Sequence, residues 1–409
     1  MKLTARGARR RDRGRELASE ALQDLERLRE IGLETRPGEH SLHRAARIEE
    51  SVKGLVGSRL RKSGYHARAL AYPSYGGPGW VRVLGRVLLG RESSRPEASD
   101  EVASVRGWRN FLTVPVAGID VTVTLGGHEF VLTSDRGGYL DEVVPLDLTP
   151  GVHEITLTVG PDAQEAHDLE VGTELVDDDT EGGAELVPPS LHRHSGTARV
   201  QVVGPEPQLG LLSDIDDTVV VTRLPRPLIA AWNSFVIDER ARVPVNGMAD
   251  LYRQVLDENP GAPVVYLSTG AWNAAPTLSR FLRRGGYPEG ALLLTDWGPT
   301  NTGWFRDGSA HKRGTLSRLA RELPQVTWLL VGDDGQHDPT LYAEFVAAAP
   351  ERVRAVGIRR LTPAEQLLAG GHPINPVRGP EDSDVTWVSG DDGFELLHRW
   401  YRAGVLSRP

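Results

Sequence analysis

The chain has 409 residues, 39% of them hydrophobic, and a formal net charge of −9. That length allows two or three domains with cores of their own, and the acidic balance argues against a general nucleic-acid binder. The absence of cysteine excludes disulfides, thiolate zinc sites and cysteine nucleophiles, and it suits a reducing, cytoplasmic setting.

The first residues are basic (Lys2, Arg6, Arg9, Arg10, Arg11) but lack the apolar stretch of a signal peptide. No run approaches the ~20 apolar residues of a membrane span, so the expectation is a soluble protein, at most peripheral to a membrane. Residues 16–34 set Leu17, Ala21, Leu25 and Leu28 on one helical face. Residues 42–62 repeat the pattern with Ala45, Ile48, Val52, Leu55 and Val56, after a turn at Thr35-Arg36-Pro37-Gly38. Together they predict an N-terminal helical hairpin. Gly- and Pro-rich residues 71–79 read as a linker, closing a first unit at 1–75.

Residues 76–205 carry short alternating runs separated by turn signals: Val81–Leu89, Val114–Leu125, His128–Thr133, Gly151–Val159 and Ala198–Val203. This is the pattern of a small β-sandwich. The acidic stretch Asp177–Glu181 reads as a solvated loop. From 206 to 409 the texture changes to apolar strand-like runs alternating with helical ones: Leu209–Ser213, Met248–Leu256, Val264–Ser268, Thr277–Leu282, Ala291–Leu294, Leu316–Leu323, Val326–Gly332, Leu341–Ala348 and Val353–Ile358, with Val385–Val388 and Phe394–Trp400 as a last pair. That alternation predicts an α/β domain with a parallel sheet.

Four polar clusters sit just past predicted strand ends or at a helix start, where such folds place chemistry. Leu211 to Thr218 read LLSDIDDT. In an extended chain Asp214 and Asp216 project to one side, and two like charges in one pocket imply a divalent metal, an acid/base couple, or both. Ser268, Thr269 and Gly270 follow the second run. Lys312 opens a later helix, and Gly332-Asp333-Asp334-Gly335-Gln336-His337-Asp338 follows the run ending at Val331. The chain is arginine-biased: Lys2, Lys53, Lys62 and Lys312 are its only lysines. A lysine retained at 312 suits a compact ammonium better than a planar fork.

In that order the clusters resemble the motifs of the haloacid-dehalogenase-like phosphohydrolase superfamily over residues 209–360. The context DIDDT, YLS with Trp272, LLLTDW and GDDGQHDP is similar to the actin-patch phosphatidate phosphatase family and its bacterial relatives. Where relatives are expected to carry S-x-S-P-W, this chain has Ser268-Thr269-Gly270-Ala271-Trp272, so the resemblance speaks to the chemistry more than to the substrate. It implies a Rossmann-like parallel sheet and a Mg²⁺-dependent phosphomonoesterase, acting on a lipid phosphate of the phosphatidate type and touching membranes peripherally. By the same resemblance Asp214 is the nucleophile, Asp216 the acid and base, and Lys312 the opposing charge. Thr218, Ser268, Thr269 and Gly270 hold the phosphate. Asp214, the backbone carbonyl of Asp216, and Asp333 bind the metal, with Asp338 either a ligand or a group behind the ligands and Asp334 a competitor for Asp333's place.

Other residues are expected to be bystanders. Asp217 alternates toward solvent or a helix, His311 and His337 belong to the rim, and Trp272 and Trp297 are core or pocket wall. Arg306 and Arg313 are candidate contacts to an anionic substrate. The short insertion 219–246, with Leu224–Ile229 and Ala230-Ala231-Trp232, makes at most a small apolar flap, which leaves the site open. The alternatives are the same chemistry on a phosphoprotein, phosphosugar or nucleotide, and a non-catalytic phosphate-binding module. A response-regulator receiver fits less well, because its acidic pair precedes the lone aspartate and its lysine comes last.

Overall fold

The computed structural model describes residues 65–91, 115–160, 194–221, 243–295, 308–335, 337–369, 379 and 383–407. The expected helical hairpin, the acidic stretch 177–181 and most of the apolar insertion lie outside them.

A six-stranded parallel sheet forms the α/β part, in the order β13 (Ala291–Thr295), β12 (Val264–Ala271), β9 (Gln208–Asp214), β14 (Val326–Asp333), β15 (Val353–Arg359) and β16 (Thr386–Gly390). Strands β9, β12 and β14 are continuous apolar runs because both faces are covered, as in parallel sheets generally. The helices of this part are α1 (Met248–Glu258), α2 (Ala275–Arg284), α3 (Gly308–Glu322), α4 (Asp338–Ala348), α5 (Pro363–Ala369), which is largely exposed, and α6 (Gly393–Arg402). In α1 the buried residues Met248, Leu251, Tyr252 and Val255 follow helical spacing. In α3 the same stripe reads Lys312, Thr315, Leu316 and Leu319, so a lysine occupies a position where an apolar side chain is the default.

The chain runs from β9 outward to β12 and β13, then returns to β14 on the other side of β9. This reversal is a topological switch point, where strand ends splay open and leave a crevice. Register sets the depth of that crevice. Leu267 pairs with Asp214, and Val331 with Ser213, so Ser268, Asp214 and Asp333 emerge at nearly one level.

Apart from the short antiparallel pair β10 (Val220–Val221) and β11 (Val243–Pro244), the remaining strands form one eight-stranded hydrogen-bonded sheet: β1 (Tyr65–Ala71), β2 (Ser74–Gly77), β3 (Trp80–Arg91), β4 (Asp120–Leu125), β5 (His128–Thr133), β6 (Tyr139–Pro145), β7 (Gly151–Val159) and β8 (His194–Val202). They enclose a core of Val81, Val83, Val121, Val123, Ile155, Leu157 and Val200. The stretch read as a linker is therefore corrected: Ser74–Gly77 is a strand, paired with β3 and β8. Its glycines serve close approach rather than freedom, since a Cβ on Gly76 would lie 2.8 Å from the Trp80 carbonyl oxygen. Strands β1 and β6 and helix α5 escape the periodicity reading, and the strand expected from Val114 begins at Asp120.

The two parts share one seam. Tyr72 stacks on Trp272 with ring centroids 4.8 Å apart. Glu322, in the last turn of α3, accepts from the Tyr75 hydroxyl at 2.5 Å and from Arg82 Nη1 at 3.0 Å, while Arg82 Nε also donates to Asp141 at 2.6 Å. Glu322→Ala would strand a buried phenol and part of a guanidinium. We expect a loss of about 1–3 kcal/mol, read as a lower urea midpoint, and little further loss when Tyr75→Phe is added to the same chain.

Candidate active site

Asp214 ends β9, Asp333 ends β14 and Asp338 opens α4. Carboxylate oxygens from these three residues lie within 4.8 Å of one another, and all three side chains are buried. Lys312 Nζ sits among them, 2.6 Å from Asp214 Oδ1 and 2.5 Å from Asp338 Oδ1. The close approach of Asp338 depends on Gly332, because a Cβ there would meet Asp338 Oδ2 at 2.7 Å and Tyr342 Cε2 at 2.9 Å.

One ammonium cannot balance three buried carboxylates. Burial pushes the Asp214 carboxyl well above its usual range, and Lys312 only partly opposes this. Burial and the neighbouring Asp338 do the same to Asp333. Burial alone would lower the Lys312 ammonium, but Asp214 and Asp338 outweigh it and hold the group above its ordinary value. One oxygen each of Asp214, Asp333 and Asp338 (Oδ2 in every case) is buried without a hydrogen-bond partner among the described residues. Three oxygen donors converging on uncompensated negative charge fit a hard divalent cation.

The second carboxylate of the motif faces a different group. Ser268 Oγ donates to Asp216 Oδ2 at 2.8 Å and accepts from the Gly270 amide at 2.9 Å. Thr295 Oγ1, at the end of β13, donates to the carbonyl of Thr269 near the end of β12 at 2.8 Å. Thr269 is half-buried and Gly270 buried. The Thr218 hydroxyl is buried with no hydrogen-bond partner among the described residues. The structure thus brings Asp214, Lys312, Asp333 and Asp338 into one cluster, and sets Asp216 against Ser268 beside it.

Asp334 stands apart. Its Oδ1 accepts from the Leu361 amide at 2.8 Å, and it is not among the three converging carboxylates. Asp217, expected to face solvent or a helix, is buried. The chain turns left-handed there (φ 60°), so strand alternation stops at Asp216. His337 is exposed. His311 and Trp272 line a cavity of about 430 Å³ at the seam. Arg313 pairs with Glu344 at 2.7 Å on an exposed surface. Trp297 and Arg306 lie outside the described residues. Periodicity missed two contributors. Tyr252 shares a 2.5 Å hydrogen bond with Ser213, whose Oγ also donates to the Asp214 carbonyl at 2.6 Å. Arg359 ends β15 and donates to the Asp217 carbonyl at 2.6 Å. The strand-end rule that found Asp333 applies equally to Arg359.

Comparison with known proteins bears on this segment. The family model described as phosphatidate phosphatase APP1, catalytic domain, matches residues 209–360. An uncharacterised protein of Schizosaccharomyces pombe is 31% identical over 160 residues, covering 37% of this chain and 25% of its own length. Phosphatidate phosphatase APP1 of Saccharomyces cerevisiae is 24% identical over 153 residues, covering 37% of this chain and 26% of its own length. The chain thus spans about a quarter of these relatives. Among solved structures, a carbohydrate acetylesterase of Xanthomonas citri aligns at 9% identity over 80% of this chain and 70% of its own, with a TM-score of 0.24. A β-glucuronidase of Parabacteroides merdae reaches 0.21 at 10% identity, over 75% and 34%. Likenesses that slight carry no argument. Residues 209–360, which hold every member of the buried cluster, are similar to the catalytic domain of the APP1-type phosphatidate phosphatase family.

Proposed function

We propose that the protein is a divalent-metal-dependent phosphomonoesterase working through an aspartyl-phosphate, with a phosphatidate-type lipid phosphate as substrate. The observation that carries this reading is the buried trio of Asp214, Asp333 and Asp338 around Lys312. The strand order around β9 is consistent with the Rossmann-like layout of haloacid-dehalogenase-like enzymes. The lipid substrate rests on the family match and implies a protein that meets membranes from the cytoplasm. Among the described residues no helix is long and apolar enough to cross one.

Lys312 holds Asp214 by Oδ1, fixing the carboxylate for attack on phosphorus. As the new O–P bond forms, the ester P–O bond breaks, and Asp216 gives its proton to the departing alkoxide. In the second half Asp216 takes a proton from water. The resulting hydroxide attacks phosphorus, and inorganic phosphate leaves with Asp214 restored. Ser268 and the Gly270 amide, adjoining Asp216, and the buried Thr218 hydroxyl supply donors for phosphate oxygens. The side chains of Asp214, Asp333 and Asp338, with the Asp216 carbonyl, would hold Mg²⁺, which supplies the positive charge that lets a phosphate dianion approach carboxylates.

Phosphate release from phosphatidate in mixed micelles should require Mg²⁺, exceed release from a small aryl phosphate, and fall by ~1,000-fold or more in Asp214→Asn. Release from the small ester alone would keep the chemistry and point to a soluble phosphoester. Gly332→Ala should displace Asp338 and lower activity by ~10-fold or more, with a weaker Mg²⁺ requirement curve as its signature.

Stability should depend on pH and metal together. Burial raises the Asp214 and Asp333 carboxyls, so the metal-free folded state keeps protons that the unfolded chain has released above the ordinary carboxylate range. Stability of the metal-free protein therefore falls as pH rises toward the raised folded values. A bound cation takes the place of those protons. The rise in melting temperature on adding Mg²⁺ should accordingly be larger at mildly alkaline than at mildly acidic pH, and an equal shift at both would contradict this account of the trio.

A further inference from the structure

Resting on the phosphatase reading, we propose that Arg359 is a positioning residue for Asp216, a buried guanidinium strut that fixes the turn carrying the general acid. That turn is tight and unusual. Asp217 adopts a positive φ of 60° without being glycine, a conformation that persists only where surrounding structure over-determines it. Within the turn, Val219 N bonds to Ile215 O at 2.9 Å and Asp217 N to Val220 O at 2.8 Å. From outside, Arg359 Nη1 donates to the Asp217 carbonyl at 2.6 Å.

The strut is anchored at its far end. Arg359 Nη2 pairs with Glu365 Oε1 at 2.7 Å, with both side chains largely buried. Glu365 is itself held through Oε2 by the Thr362 amide at 2.8 Å and the Thr362 hydroxyl at 2.9 Å. The Arg359 carbonyl accepts from Asp334 N at 3.0 Å, and the residue pairs in register with Asp333. One side chain thus reaches from β15 across the end of β14 to the turn beyond β9. Two acceptors taken by separate nitrogens, Nη1 and Nη2, match a planar fork and not a compact ammonium. Asp216 Cα lies about 3.8 Å from that of Asp217 across one peptide, so releasing the Asp217 carbonyl frees the carboxyl that must meet the leaving oxygen.

A purely structural role would slow all phosphate esters alike. A role through the general acid slows most those with poor leaving groups, which need the proton. The test measures kcat and KM with saturating Mg²⁺ for an alkyl phosphate and a nitrophenyl phosphate, in the wild type, Arg359→Met and Arg359→Lys. Glu365→Gln serves as a milder variant in case Arg359→Met folds poorly. Hydrogen exchange of the peptide spanning 211–221 reads the turn without reference to activity. We expect Arg359→Met to lose ~30-fold or more in kcat on the alkyl ester, to lose clearly less on the nitrophenyl ester, and to leave KM within about twofold on each. Arg359→Lys should recover part of the loss, Glu365→Gln should shift both esters in the same direction by less, and the 211–221 amides should exchange faster in Arg359→Met. Equal losses on the two esters, or unchanged exchange in the turn, would overturn the proposal. A wild-type enzyme that cleaves neither ester would instead overturn the phosphatase reading, with the exchange result still judging the strut.

Discussion

Everything at this site follows from one electrostatic constraint. Three carboxylates are taken out of water at a single point, and one lysine cannot neutralise them. Such an arrangement persists only if protons or a cation make up the deficit. The sheet creates the place for it. The switch beside β9 opens a crevice between strand ends, and the register brings acids from two neighbouring strands to one depth. Lys312 reaches it because α3 places an ammonium where the apolar stripe would otherwise continue.

Much of this was legible in the amino-acid order, for a physical reason. Buried parallel strands are unbroken apolar runs, so a polar residue at the end of one stands out. Asp214, Ser268 and Asp333 were visible in that way, and Lys312 through its rarity. What stayed hidden broke the periodicities on which the reading relies. Ser74–Gly77 is glycine-rich because its backbone passes close to Trp80, and so resembles a linker. Asp217 was misplaced because alternation holds only while the chain stays extended, and the chain leaves that conformation at Asp217. Arg359, followed by Arg360, looks like the solvated end of a strand. Its partners, Asp217 and Glu365, are separated from it by 142 and 6 residues, and nothing local announces the longer of these contacts.

The two carboxylates of the motif also differ in their surroundings. Asp214 lies against an ammonium and two other acids, whereas Asp216, two residues on, faces the Ser268 hydroxyl. In the proposed mechanism these surroundings would suit Asp214 to attack and Asp216 to proton traffic. The left-handed step at Asp217 follows both of them and swings the chain back on itself before Val220.

Helix α3 joins the two parts of the molecule mechanically. Glu322 grips the β part near one end, and Lys312 grips the acids ten residues earlier, roughly 15 Å away along the axis. A rigid rod of that length converts a tilt of about four degrees at the seam into a displacement of roughly 1 Å at the ammonium, a shift large enough at a reacting centre to change a rate by ~100-fold. The β part, whose described residues lend no side chain to the acid cluster, would in this way act as its gauge block, and the alignment of the reaction would depend on how firmly Tyr75 and Arg82 hold the far end of the rod.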